Sequence, residues 1–243
     1  MKLFLYNVYN IKLKLMISQS KLSSLLFFDI ETCGKHEDFN QFLEKDPAGA
    51  EIWKKKANRL GYESAGNGYT DKVALFPEFG KIVCLSYGLW KDGEITVKTI
   101  QDEESVMMKY IANLFHKAGA NGLTPTGWNI KNFDVPWVVR KLLMNGLQIP
   151  QSIASYEKKP WEMNILDMKE MWKSLSSLDV TFEEAAYSLG VPSPKDDIDG
   201  SQVHGEFWKG NIDRIITYCE KDVKTMILMM DKIYNIYNTP TLV

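Results

Sequence analysis

The sequence predicts an α/β fold, a five-stranded mixed sheet flanked by helices, and three observations carry that prediction. Strand-like and helix-like segments alternate in the order β, β, β, α, β, α, β before the chain turns to helices alone. Asp92-Gly93 separates two β-rich runs and marks a hairpin. The apolar run Leu25-Leu26-Phe27-Phe28-Asp29-Ile30-Glu31-Thr32 reads as a buried strand and sets two carboxylates inside it.

The first strand is expected over 24–30. Residues 35–80 depart from the alternation and read as an insertion between the first two strands, with a helix around Glu51 to Arg59 and a Gly-rich loop at Gly61 to Gly68. Lys54-Lys55-Lys56 with Arg59 reads as a solvated helix face rather than a grip on phosphates. Strands at 81–90 and 94–100 form the hairpin around Lys91-Asp92-Gly93. Val106, Met107, Tyr110, Ile111, Leu114 and Phe115 make a helical stripe within 102–118, ending at Gly119. A short strand near 123–128 leads into a helix from Phe133 to Asn145 closed by Gly146, and a strand at about 163–166 ends at Asp167. Asp167 and Glu170 have the spacing of an N-cap and its third helical residue, which makes Asp167 a cap and not a metal ligand. Thr181-Phe182-Glu183-Glu184 opens a short helix with a capping box. The segment from Pro192 to Gly210, rich in Pro, Asp and Gly, reads as a loop, and His204 within it takes a structural or surface role. A long helix starts near Asn211, with Ile212, Ile215, Ile216, Cys219, Val223, Met226, Ile227, Met230 and Ile233 along one stripe.

At 243 residues the chain has room for a full core, expected as one domain over 24–243 behind an N-terminal extension, 1–23. A formal charge of −2 excludes coating of nucleic acid by bulk charge but leaves room for a local grip on a few phosphates. Cys33, Cys84 and Cys219 have no metal-binding spacing and fit reduced thiols in the cytoplasm. Asn7, Asn10, Lys12 and Lys14 break the apolar N-terminal stretch, so a signal peptide is not expected, nor is any run near the ~20 apolar residues of a membrane span.

Three short motifs carry chemistry. Alternation along a strand puts Asp29 and Glu31 on one face, where proximity and burial raise the proton affinity of one of them unless a divalent cation intervenes; hard oxygen ligands suit Mg²⁺ or Mn²⁺. Trp128-Asn129-Ile130-Lys131-Asn132-Phe133-Asp134 crosses from a strand end into a helix, with Pro136 tolerated in the first turn. The C-terminal edge of such a sheet is where ligand sites form, although an acid in a first helical turn also simply meets the helix dipole. Tyr218-Cys219-Glu220-Lys221-Asp222 places Tyr218 and Asp222 together on the flank of the last helix.

The ordered set DxE, Nx₃FD and Yx₃D resembles the three motifs of the DEDD superfamily of 3′–5′ exonucleases, tyrosine subtype. It is similar, more narrowly, to the proofreading exonuclease domain of B-family DNA polymerases and to stand-alone predicted exonucleases related to it, over about residues 24–235. A histidine-type member carries its base five positions before the last acid; that position is Thr217, whereas Tyr218 sits four before. The resemblance implies a ribonuclease H-like fold and hydrolysis of single-stranded 3′ ends to nucleoside 5′-monophosphates, with DNA ahead of RNA as substrate. It implies two ions, Mg²⁺ or Mn²⁺, about 3.5–4 Å apart, holding the oxygens of an in-line displacement. Asp29 would bridge both, Glu31 and Asp222 hold the ion on the nucleophile side, Asp134 act through ligated water, and Tyr218 orient or deprotonate the attacking water, orientation being favoured for a phenol of pKa about 10 unless the ions lower it. Thr32, Asn129 and Phe133 would contact the terminal nucleotides. Any proofreading would be in trans, beside a DNA polymerase or replication and repair proteins. The rival readings are an RNA exonuclease with the same machinery and a catalytically silent binding module on the same fold.

Overall fold

The strand with the acids is central because both its faces are apolar. β1 (Leu25–Gly34) is flanked by β2 (Gly80–Lys91) and β4 (Thr124–Gly127) in a sheet of order β3-β2-β1-β4-β5, with β3 at Glu94–Ile100 and β5 at Leu166–Asp167. The computed structural model describes residues 22–238 apart from 92, 157, 159–161, 175 and 194–196. Most of the expected extension, 1–23, lies outside them, but Leu22 is buried in the core. β1 pairs antiparallel with β2 and parallel with β4, which makes the sheet mixed. The hairpin forms with Lys91 opposite Glu94; Asp92 of its turn lies outside the described residues. β5 is shorter than expected, because β4 offers it pairing only at Thr126 and Gly127.

Side-chain alternation divides the core. Leu26, Phe28 and Ile30 enter one cluster with α4 (Glu104–Ala120) and α5 (Asp134–Met144), where Phe28 meets Phe115 edge-on at 5.0 Å between ring centroids. Leu25 and Phe27 face the opposite layer, packing with Val223, Met226 and Ile227 of the long helix α9 (Ile212–Asn238). Cys33, farther along the same face, joins Ile215, Tyr218 and Cys219 in a third cluster. Helix α9 comes close because Gly88 on β2 has no side chain; a Cβ there would lie 2.9 Å from both Val223 Cγ1 and Ile227 Cδ1.

Residues 35–80 fold as α1 (Phe39–Lys45), α2 (Pro47–Arg59), α3 (Ala65–Lys72) and a 3₁₀ turn at Val73–Leu75, around Phe42, Trp53 and Tyr69. The Gly-rich loop expected at 61–68 therefore ends early. Ser64 caps α3, and Gly68 lies within it where an added Cβ would sit 3.1 Å from Tyr62 and 3.2 Å from Ala57, so the glycine admits close helix packing. The loop expected over 192–210 is likewise broken by α8 (Val203–Trp208), pinned by Arg214, which pairs with Glu206 on α8 and with Asp197 before it. The cap at Asp167 opens α6 (Met168–Lys173), and the Thr181 capping box opens α7 (Phe182–Ser188).

Lys141 of α5 is fully buried, and its ammonium donates to the Gly80 carbonyl and to Glu104, 3.0 Å away. Glu104 also accepts from the Ile82 N–H, so one carboxylate joins α4, α5 and the start of β2. Breaking a buried pair from the side that leaves the charge uncompensated is the costly direction. Glu104→Ala is expected to lower unfolding free energy by about 3 kcal/mol in denaturant titration. Lys141→Met, which leaves a carboxylate that water reaches, should cost clearly less; equal losses would refute the asymmetry.

Candidate active site

Asp29 and Glu31 share the face of β1 that carries Leu25 and Phe27 before them and Cys33 after them, so they occupy the seam between two apolar clusters under α9. Asp29 keeps partial exposure and Glu31 is 7% exposed. Immediately after Glu31 the pairing with β2 shifts register: Glu31 faces Cys84 and Thr32 faces Ile82, leaving Val83 as the extra residue. Bulges of this kind re-aim side chains, and they recur beside active sites.

Asp134 opens α5 and is brought to β1 by a backbone bond, the Ile30 N–H donating to Asp134 Oδ1 at 3.1 Å. β4 pairs with β1 only along Leu25–Phe27, so beyond Phe27 this side of β1 needs another acceptor, and Asp134 supplies it. On α9, Tyr218 and Asp222 are one turn apart, and the tyrosine hydroxyl donates to the carboxylate. Cys219 points its sulfur at Asp29, 3.4 Å from Oδ2. One ligand atom from each of Asp29, Glu31 and Cys219 lies within 4.8 Å of the others.

Burial raises the proton affinity of every acid on which β1 and α5 converge. The Asp29 carboxyl is pushed well above the carboxylate range by burial and then by the charges of Asp134 and Asp222. Glu31 is raised in the same way, by burial and then by Asp29. Asp134 rises to about 7 through burial, in spite of the backbone N–H groups that favour its charge. The Tyr218 hydroxyl is raised above its ordinary range by burial and by Asp222, Glu31 and Asp29, so it stays protonated at neutral pH. The Cys219 thiol is raised by burial and by its bond with Cys84, which keeps it neutral beside the acids.

The other expected contact residues are placed differently from one another. The Thr32 hydroxyl donates to the Ala74 carbonyl at 2.7 Å, tying β1 to the 3₁₀ turn. Asn129 is half-buried in a left-handed backbone conformation, φ 59°, and Phe133 is half-buried against Trp137. Trp137 is core, and Trp128 packs on Phe182. Lys54 pairs with Glu51 and Lys56 lies over the Phe76 ring, in keeping with a helix-face role. His204, expected in a loop in a structural or surface role, sits in α8; its Nδ1 accepts from the Gly34 N–H at 3.0 Å and its Nε2 donates to the Glu37 carbonyl at 2.9 Å. Sequence reasoning missed Cys219 as a neighbour of the acids, for which its place beside Tyr218 was the available signal.

The family of predicted 3′–5′ exonucleases related to the exonuclease domain of PolB matches residues 75–236, and the chain belongs to that family. The matched span includes Asn129, Phe133, Asp134, Tyr218 and Asp222 and begins after β1. The mixed sheet with helices on both faces agrees with the ribonuclease H-like fold that the resemblance implied. A search of curated proteins gave no match.

A carboxyl with a raised folded pKa holds a proton that the unfolded chain has released. Stability is then fully present below the unfolded value, about 4, and is lost as pH climbs toward the folded value. For Asp134 that window runs from about 4 up to about 7. In EDTA, the melting temperature is expected to fall as pH rises through this window, at up to about 1.4 kcal/mol per pH unit for each proton held. Asp134→Asn, which keeps an acceptor for the Ile30 N–H, should flatten the slope. An unchanged slope would mean that the acid titrates as it does in water.

Proposed function

We propose that this member of the exonuclease family removes nucleotides from the 3′ end of single-stranded DNA, releasing nucleoside 5′-monophosphates. The observation that carries the reading is the convergence of Asp29, Glu31, Asp134 and Asp222, with Tyr218 bonded to the last, from three distant segments onto one end of β1. In the reaction a water oxygen attacks phosphorus, the P–O3′ bond breaks, and the shortened strand keeps a 3′-hydroxyl.

The residues fit divalent cations, since buried acids that raise one another's proton affinity form a hard, over-charged oxygen set. Asp29, Glu31, Asp134 and Asp222 would hold Mg²⁺ or Mn²⁺, two ions in all, which when bound neutralise the phosphate and favour ionisation of water. Cys219 is neutral and soft, a poor ligand for these ions, and its role is to border Asp29. Tyr218 would orient the attacking water through its oxygen, the role that suits a phenol whose ordinary pKa is about 10. Asn129 and Phe133 stand at the start of α5 beside Asp134, where a stacking ring and a carboxamide can meet terminal nucleotides without reading sequence. Thr32 contributes through the tether to Ala74. No helix among the described residues is long and apolar enough to cross a membrane. The same proposal places the activity in the cytoplasm, in trans to a polymerase or repair proteins.

The test follows the product ladder from end-labelled single-stranded DNA, duplex DNA and RNA in Mg²⁺, Mn²⁺ or EDTA. Single-nucleotide steps from the 3′ end of DNA are expected, with none in EDTA and none after Asp29→Ala or Asp222→Ala. A preference for RNA would move the substrate assignment, and cleavage that survives both substitutions would end the reading. Tyr218→Phe deletes one hydroxyl and should reduce kcat by about 10²-fold or less with oligonucleotide binding retained. Wild-type turnover would remove Tyr218 from the mechanism.

A further inference from the structure

Asp167 is 3% exposed, and its carboxylate does more than a helix cap requires. Oδ1 accepts from the N–H groups of Lys169 at 2.9 Å and Glu170 at 3.2 Å, which is the capping of α6. The same Oδ1 accepts from Asn129 N–H at 3.1 Å, and Oδ2 accepts from Lys131 N–H at 3.0 Å. These last two bonds cross from β5 to the segment between β4 and α5. That segment is fastened to α6 a second time by Lys131 Nζ and Glu170, 2.6 Å apart. Asn129 is held at φ 59°, in the left-handed region that few non-glycine residues adopt, asparagine more readily than most. Its carboxamide oxygen accepts from Asn132 Nδ2 at 3.1 Å, so the side chain is fixed as well as the backbone.

We propose that Asp167 is a positioning residue for substrate, clasping the backbone of residues 129–131 so that Asn129 and Phe133 are preset for the terminal nucleotides. The inference rests on the preceding reading of Asn129 and Phe133 as substrate contacts. It assigns Asp167 no contact with substrate or cation; it acts through the loop. Four N–H donors converge on two carboxylate oxygens, three on Oδ1 and one on Oδ2, an arrangement that an amide reproduces only in part, because its NH₂ would face the Lys131 N–H. A preset loop raises affinity by removing the ordering that would otherwise accompany binding.

Asp167→Ser separates the two duties, because serine caps helices well but is too short to reach residues 129 and 131. Its melting temperature is expected to fall less than that of Asp167→Ala, which loses the cap as well as the acceptor for residues 129 and 131. KM for single-stranded DNA should rise about tenfold with kcat within about twofold. Amide hydrogen exchange at residues 129–131 should quicken in the substrate-free protein. Asp167→Asn is the second variant, expected to show the same KM shift, and Thr181→Ala, which loses the cap of α7, should lower the melting temperature without moving KM. Wild-type KM in folded Asp167→Ser, or unchanged exchange at 129–131, overturns the proposal while leaving the exonuclease reading intact. Failure of the wild-type protein to bind or cleave single-stranded DNA overturns that reading, and this proposal with it.

Discussion

The hydrogen bond from the Ile30 N–H to Asp134 Oδ1 joins β1 to α5, which also share an apolar core. It exists because β4 ends at Gly127 while β1 continues to Gly34, so a crevice opens on one side of β1 at the residues that carry the acids. An unpaired backbone N–H there would be a buried donor without an acceptor. Asp134 supplies the acceptor, and in doing so its charge comes to bear on Asp29, raising the proton affinity of that carboxyl. The backbone need and the clustering of charge are thus one arrangement. It falls at the carboxyl end of β1 beside β4, where the strand order reverses and a ligand crevice forms.

Such a cluster opposes folding, and the surroundings show what offsets it. Asp29 and Glu31 lie between two apolar clusters that share one helix, with Val223, Met226 and Ile227 on one side and Ile215 and Cys219 on the other. Helix α9 is pressed onto β2 where Gly88 leaves its surface bare, so Asp222 and Tyr218 are held at the seam by apolar packing on both sides. The arrangement is rigid for the same reason that it is electrostatically strained: the carboxylates have nowhere to separate to. Preset charge of this kind needs little reorganisation when an oppositely charged group arrives.

What the sequence made legible was periodicity and local chemistry. Alternation placed Asp29 and Glu31 together, the hairpin followed from Asp-Gly, and Thr181 to Glu184 read as a capping box because every partner is within three residues. Helix α3 was less legible, since Gly66 and Gly68 signal a loop unless the packing of Tyr62 and Ala57 against the helix is known. Helix α8 was hidden for a similar reason: Arg214 stabilises it from the following helix, through pairs with Asp197 and Glu206 that no local window contains. Asp167 shows both cases in one residue. Its capping bonds are local and were foreseen, whereas its bonds to Asn129 and Lys131 span 38 and 36 residues and depend on β4 and β5 lying side by side.

His204 extends the same lesson to the far end of β1. A lone histidine in a polar stretch has no partner visible in sequence, yet its ring bridges the Gly34 N–H and the Glu37 carbonyl, and packs edge-on to Tyr69. Tyr69 in turn both donates to the His36 carbonyl and accepts from the His36 N–H, while Thr32 reaches the Ala74 carbonyl. The strand that carries the acids is therefore fixed after its bulge by α8 and by the helical segment 35–80. With Ile30 bound to α5 before the bulge, β1 is held on both sides of Glu31. The tether of Thr32 to the Ala74 carbonyl carries no acid or imidazole, and so holds β1 after its bulge whatever charge the carboxylates take.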